Sequence, residues 1–248
     1  MRSIYASMND SAALIPSGVR AKLFVRHSIR PGVEGQKVEH NGEMIQIEAG
    51  FHWGLTREGK IMAEEFGRGL RDEFILYNLV SSESKRCVET LNHIQKGYGI
   101  NAETSTHNVL KAMWVLDSLK WHNIYEYYNK NIKLLLQKML DREHIDGVYP
   151  VEKSVYLLLE YMGLCDDMGH RILNSELLQA KDSKKKELDI YVSHDGLIML
   201  TLCYLLQKNM SEIEWVYMLE GVFFWREEHL LCFAWRGEKF EFDIRGLV

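Results

Sequence analysis

The stretch Ala21-Lys22-Leu23-Phe24-Val25-Arg26-His27-Ser28-Ile29-Arg30-Pro31 decides how the chain is read. Its apolar, β-like first half delivers an Arg-His pair to the point where a strand must stop, and another arginine follows within a turn. A guanidinium is a rigid fork that matches phosphate oxygens, and a neutral imidazole nitrogen can attack phosphorus. The segment therefore predicts a strand end that holds a phosphoryl group and then accepts it. An Arg-His pair alone carries little weight. Two distant segments supply the rest.

Working outward, residues 33–54 read as a long Gly-rich loop, and a helix follows from Thr56, with Glu58 in its first turn and an apolar stripe at Ile61, Met62, Phe66, Leu70 and Phe74. Leu76 to Val80 predicts a short strand, and Ser82 to about Lys96 a second helix stopped by Gly97 and Gly99. Residues 107–187 are mainly helical in character and end in the solvated turn Lys184-Lys185-Lys186. A strand at 188–192 precedes a strongly apolar helix from Leu197 to Leu206, and strands near 221–226, 230–236 and 239–244 finish the chain, with Glu227-Glu228 at a turn. The alternation predicts one α/β domain over 1–248. It is a three-layer sandwich with a central, mostly parallel sheet and a helical cap inserted at about 100–187. In such sheets ligands sit beyond the carboxyl ends of the strands. Three predicted strands end at Arg26-His27, at Ser81-Ser82 and at Ser193-His194-Asp195, so these three ends are expected to meet.

Phosphoryl transfer needs positive donors for the equatorial oxygens, an in-line nucleophile and a proton for the departing alcohol. Arg26, Arg30 and Arg86 are the expected donors and His27 the nucleophile. His194 is a second imidazole for a phosphate oxygen, best suited to that task when charged, and Asp195 is placed to protonate the leaving oxygen. Ser28 would add a hydroxyl near the phosphate.

At this point the chain resembles the histidine phosphatase superfamily. Arg26-His27-Ser28-Ile29-Arg30 is similar to its R-H-G-x-R signature, with serine where glycine is usual, and Thr56 to Arg71 resembles the helix that follows. Ser82 to Thr90 resembles the S-x-x-x-R-x-x-x-T pattern, and Val192-Ser193-His194-Asp195 the last motif. The His-Asp ending and Arg30 are nearest to the acid phosphatase and phytase branch, whereas the mutase-like branch takes its proton from a mid-chain glutamate. The resemblance covers about residues 20–98 and 188–236. It implies a phosphoglycerate mutase-like fold, no metal or other cofactor, and hydrolysis of a small phosphorylated molecule through a phosphohistidine.

Bulk properties fit this class. Net charge of −5 offers no basic face for nucleic acid, and no apolar run approaches the roughly 20 residues that cross a bilayer. The first twenty residues do not read as a signal peptide, and Cys87, Cys165, Cys203 and Cys232 are scattered, which predicts reduced thiols in a cytoplasmic protein. His40, His52, His107 and His122 lack metal-ligand spacing and read as loop or surface histidines. Three rival readings are weaker. A phosphotransferase of the mutase kind lacks its donor glutamate, and a non-catalytic phospholigand domain would not need nucleophile and donor together. A metal phosphohydrolase would carry His194-Asp195 on a helix, not after a β-like run.

Overall fold

The computed structural model describes residues 6–31, 37–40, 43–46, 53–128, 131–165 and 185–246; of His40, His52 and His122 it describes no side chain. Seven strands form one sheet in the order β5-β4-β6-β1-β7-β8-β9. They are β1 (Arg20–Arg26), β4 (Phe74–Ser81), β5 (Ser105–Thr106), β6 (Lys186–Ser193), β7 (Gly221–Glu227), β8 (Leu230–Trp235) and β9 (Glu238–Asp243). β5, β4, β6 and β1 pair in parallel, while β7, β8 and β9 add antiparallel partners beyond β1. The sheet is thus mixed, and its parallel half is the one that carries the three motif-bearing ends. Part of the 33–54 segment forms a separate hairpin, β2 (Lys37–His40) with β3 (Glu43–Gln46), and the remainder up to residue 52 lies outside the described residues.

The period-2 alternation of β1 builds two cores. Ala21, Leu23 and Val25 face the layer made by α1 (Ala6–Ala13), α2 (Arg57–Leu70) and α3 (Lys85–Tyr98), and Phe24 faces the opposite layer. That second layer holds α4 (Val109–Ala112), α5 (Ser118–Tyr128), α6 (Ile132–Leu140), α7 (Val151–Tyr161) and α8 (Asp195–Leu206). α8 is apolar all round and almost wholly buried, as its sequence requires. Lys186, expected in a surface turn, instead opens β6: its Nζ donates to the Ala12 carbonyl at 2.7 Å.

Two helix junctions fix the site's approach. Thr56 caps α2 as its sequence predicts, its Oγ1 accepting from the Gly59 N–H at 3.0 Å. Gly97 does not stop α3; Gly99, left-handed at φ 91°, does. Gly97 lies inside the helix because α2 and α3 touch backbone to backbone. A Cβ at Gly97 would stand 1.9 Å from the Glu64 carbonyl, and one at Gly67 2.0 Å from that of Ile94.

Candidate active site

Adjacent strands bring the three ends together. The His27 N–H donates to the Ser193 carbonyl at 3.0 Å, and the Ser82 N–H to the Val192 carbonyl at 2.9 Å. β6 therefore sits between the other two, with His194 at the centre. The His27 and His194 rings meet edge to face, 5.7 Å apart. Only 3% of His27 and 9% of His194 reach solvent, so both imidazoles form a floor.

His27 Nδ1 lies 2.7 Å from the Ser28 carbonyl. A carbonyl only accepts, so Nδ1 carries the hydrogen and Nε2 keeps its lone pair. Burial, then the Arg86 charge, and more weakly Arg26 and Arg30, hold His27 well below the ordinary imidazole range, against the Ser28 carbonyl, which raises it. All three predicted arginines thus act on one imidazole. Ser28 itself differs from expectation. Its hydroxyl donates to the Gly59 carbonyl at 2.7 Å and its N–H to Thr90 Oγ1 at 2.9 Å, so it faces the α2 and α3 layer rather than a phosphate. Thr90 Oγ1 in turn donates to the Arg86 carbonyl at 2.7 Å, which straps the turn after His27 to the helix that carries Arg86.

His194 also departs from expectation. Arg86 Nη2 donates to Nδ1 at 3.1 Å, and Nε2 lies 3.0 Å from Ser82 Oγ. Arginine cannot accept, so Nδ1 is bare and Nε2 carries the hydrogen. Burial, Arg86 and His27 push the pKa of His194 well below normal, with Asp195 opposing them. It is a neutral donor in the free protein, not the charged one its position suggested. Cys87 Sγ packs 3.8 Å from His194 Nε2, and burial raises this thiol to about 12, so it stays protonated.

His194 occupies the N-cap position of α8, so Asp195 is the first helical residue rather than the cap. Its Oδ1 accepts from the Gly196 N–H at 2.9 Å. Its Oδ2 takes Arg26 Nη2 at 2.6 Å and the Trp215 indole N–H at 3.0 Å. Burial works to raise the Asp195 pKa, but Arg26, Trp215 and the Gly196 N–H outweigh it and leave it lowered. The free protein therefore holds a carboxylate here, clamped by an arginine that was expected to bind phosphate. With 32% of its side chain still open, Asp195 remains reachable from outside. Arg26 Nη1 also donates to the Val216 carbonyl at 2.7 Å.

Trp215 and Val216 are contributions that motif reading missed. Both lie between α8 and β7, in a segment with no motif of its own. The only available signal was topological: β7 runs antiparallel to β1, so the chain entering β7 passes the same edge at which β1 ends.

A groove of about 2280 Å³ lies along the α4 and α7 side of the sheet, walled by residues such as Arg20, Lys22, His107, Tyr161 and Arg226. His27, Arg26, Arg86 and His194 are not among its walls. Convergent donors around a nucleophilic nitrogen identify chemistry better than volume does. Among the described residues, no group of three or more His, Cys, Asp or Glu side chains is disposed to hold a metal ion.

Known structures share this architecture. YhfR from Bacillus stearothermophilus superposes with a TM-score of 0.54 at 12% identity, covering 88% of this chain and 97% of its own. The fold is phosphoglycerate mutase-like. A mycobacterial glucosyl-3-phosphoglycerate phosphatase gives a TM-score of 0.51 at 14% identity over 88% of this chain and 98% of its own. A phosphoglycerate mutase from Bacillus anthracis gives 0.50 at 14%, over 93% and 96%. No model of a known protein family matches the sequence, and no curated protein sequence does either. Among the described residues, no helix is long and apolar enough to cross a membrane.

Proposed function

We propose that the chain is a metal-independent phosphomonoesterase that works through a phosphohistidine at His27, in the manner of the acid phosphatase branch. One observation carries this reading. The His27 Nδ1–H is spent on the Ser28 carbonyl, which leaves Nε2 as a lone-pair nucleophile amid three arginines. In the first step Nε2 bonds to phosphorus, the P–O bond to the alcohol breaks, and Asp195 delivers its proton to the departing oxygen. Arg26, Arg30 and Arg86 take the equatorial oxygens, and the His194 Nε2–H becomes a further donor by turning from Ser82 Oγ to the phosphate. Water then attacks phosphorus, its proton returns to Asp195, and the N–P bond breaks to release phosphate.

Asp195 is ionised before substrate arrives, so the mechanism needs a trigger. A phosphate dianion competes with Asp195 for Arg26. Once Arg26 turns to the phosphate, the carboxylate loses its strongest partner, stands beside new negative charge, and takes up a proton from solvent. Arginine charge supplies what a metal ion would, so no cofactor enters. The reading extends to a cytoplasmic, single-domain enzyme acting on a small phosphate ester, the class of substrate named for the mycobacterial glucosyl-3-phosphoglycerate phosphatase.

The test is a panel of phosphate esters assayed with and without EDTA, together with an alkaline quench of labelled substrate. Turnover is expected to survive chelation, and an acid-labile phosphate to appear on His27 and vanish in His27→Ala. Strict dependence on a divalent ion, or label on another residue, refutes the mechanism.

A further inference from the structure

Asp195 must do two things that conflict. It has to release Arg26 when phosphate arrives, and it has to keep its carboxyl aimed at the leaving oxygen after that restraint is gone. Its Oδ1 is held by the Gly196 N–H, which is part of the rigid start of α8. Its Oδ2 has two donors, and only one of them, Arg26, can be drawn away by an anion. The other is a neutral indole N–H, which cannot follow phosphate as a counter-ion would.

We infer that Trp215 is the positioning residue for the proton donor: its N–H keeps Asp195 Oδ2 aligned with the leaving oxygen while Arg26 serves the phosphate. The inference rests on the phosphohistidine reading above. With Arg26 gone, the lone pair it occupied on Oδ2 faces the phosphate, and that is where the transferable proton belongs. The indole N–H meanwhile occupies the oxygen's other acceptor direction and fixes the rotation of the carboxyl plane.

Trp215 is built to hold still. Lys133 Nζ of α6 lies 4.9 Å over its ring, a cation–π contact, and Arg236 Nη2 donates to its carbonyl at 3.4 Å. Arg236 is itself anchored on the buried Glu220 carboxylate at 2.7 Å. The ring is therefore braced from the helical layer, and its backbone from the turn between β8 and β9, by groups other than Arg26. Ile132 and Leu136 of the same α6 stand within 4 Å of where a Cβ on Gly196 would be, so the helix that braces Trp215 also packs on the start of α8.

The experiment compares an alkyl phosphate, which needs a protonated leaving oxygen, with an aryl phosphate whose leaving group is acidic. Trp215→Phe keeps an aromatic ring for Lys133 and deletes the N–H together with the five-membered ring that carries it. Its kcat on the alkyl ester should fall on the order of tenfold to a hundredfold, with a much smaller loss on the aryl ester and little change in KM. In an Asp195→Asn background the same substitution should cost nothing further on the alkyl ester, because the group it positions no longer donates. Equal losses on both esters, no loss on either, or full additivity with Asp195→Asn overturns the inference. His27→Ala separates this from the underlying reading: if that variant remains active, the phosphohistidine mechanism falls and the inference with it. If it is dead and Trp215→Phe slows both esters alike, the inference alone fails.

Discussion

Thr90→Val is the substitution that best weighs the geometry around the nucleophile. Threonine and valine have nearly the same shape, so packing is conserved and only the hydroxyl is removed. Two bonds go with it: Ser28 N–H to Thr90 Oγ1 at 2.9 Å, and Thr90 Oγ1 to the Arg86 carbonyl at 2.7 Å. The second matters little, since that carbonyl can accept from within α3. The first matters more, because Ser28 is fully buried and its N–H then has no water to turn to. An orphaned buried donor costs about 1–3 kcal/mol. For a chain of this size that corresponds to a fall in Tm of about 2–12 °C, at about 2–4 °C per kcal/mol. Activity should suffer beyond stability, because the Ser28 carbonyl that orients His27 belongs to the same turn. A loosened turn lets the imidazole rotate, and misplacement by a fraction of an ångström should lower kcat on the order of tenfold. Thr90→Ser keeps the hydroxyl and should restore most of kcat, though it gives up a buried methyl. Calorimetry and steady-state assays of both variants decide the matter. A valine variant as active as the serine variant at a temperature where both are folded would refute the strap.

Three further outcomes follow from the same geometry. Asp195→Asn should lower turnover of alkyl phosphates on the order of a hundredfold or more and of aryl phosphates less; because it also frees Arg26, inorganic phosphate should inhibit the variant at lower concentration, and unchanged inhibition would argue against the clamp. His27 and His194 both sit well below the ordinary imidazole value, so below about pH 7 the unfolded chain binds more protons than the native one and stability falls as pH falls toward 5. Asp195, depressed and ionised in both states across that window, contributes nothing there, so urea midpoints should flatten against pH in a His27→Gln, His194→Gln double variant. Gly97→Ala places a Cβ 1.9 Å from the Glu64 carbonyl and must pry α2 from α3; a loss of at least about 1–3 kcal/mol is expected by chemical denaturation, and a neutral effect would contradict the backbone contact.

What could be read from sequence and what could not divides along a physical line. Each strand that ends in a motif was legible, because apolar alternation and an abrupt polar stop are both local signals. Thr56 as a cap and the hairpin at Glu228, where φ is 54°, were legible for the same reason. Gly97 was misread because a glycine that lets two helices touch looks, in one dimension, like a glycine that ends one. Ser28 and His194 lie at the strand ends where the sequence put them, but the partners of their hydrogens were not legible. Which way a hydroxyl donates, or which ring nitrogen is bare, depends on Gly59, Thr90, Ser82 and Arg86, residues far apart along the chain. Trp215 and Val216 reach the site only through the antiparallel addition of β7 to β1, and no spacing rule encodes that.

The pairing of Arg26 with Asp195 changes how the site's charge is to be understood. Read as separate motifs, Arg26 is a phosphate ligand and Asp195 a proton donor, each ready before substrate arrives. In the folded protein they neutralise one another, and the two histidines are uncharged. Arg30 and Arg86 add further positive charge beside His27. In the proposed mechanism a bound dianion draws Arg26 away, and Asp195 can then hold a proton without Arg26 competing for Oδ2. The proposed mechanism thereby couples proton supply to occupancy: the acid is expected to form only when there is a phosphoryl group to transfer. A monoanion without the charge to displace Asp195 from Arg26, such as a sulfate monoester, should bind more weakly than a phosphate ester and leave the donor ionised.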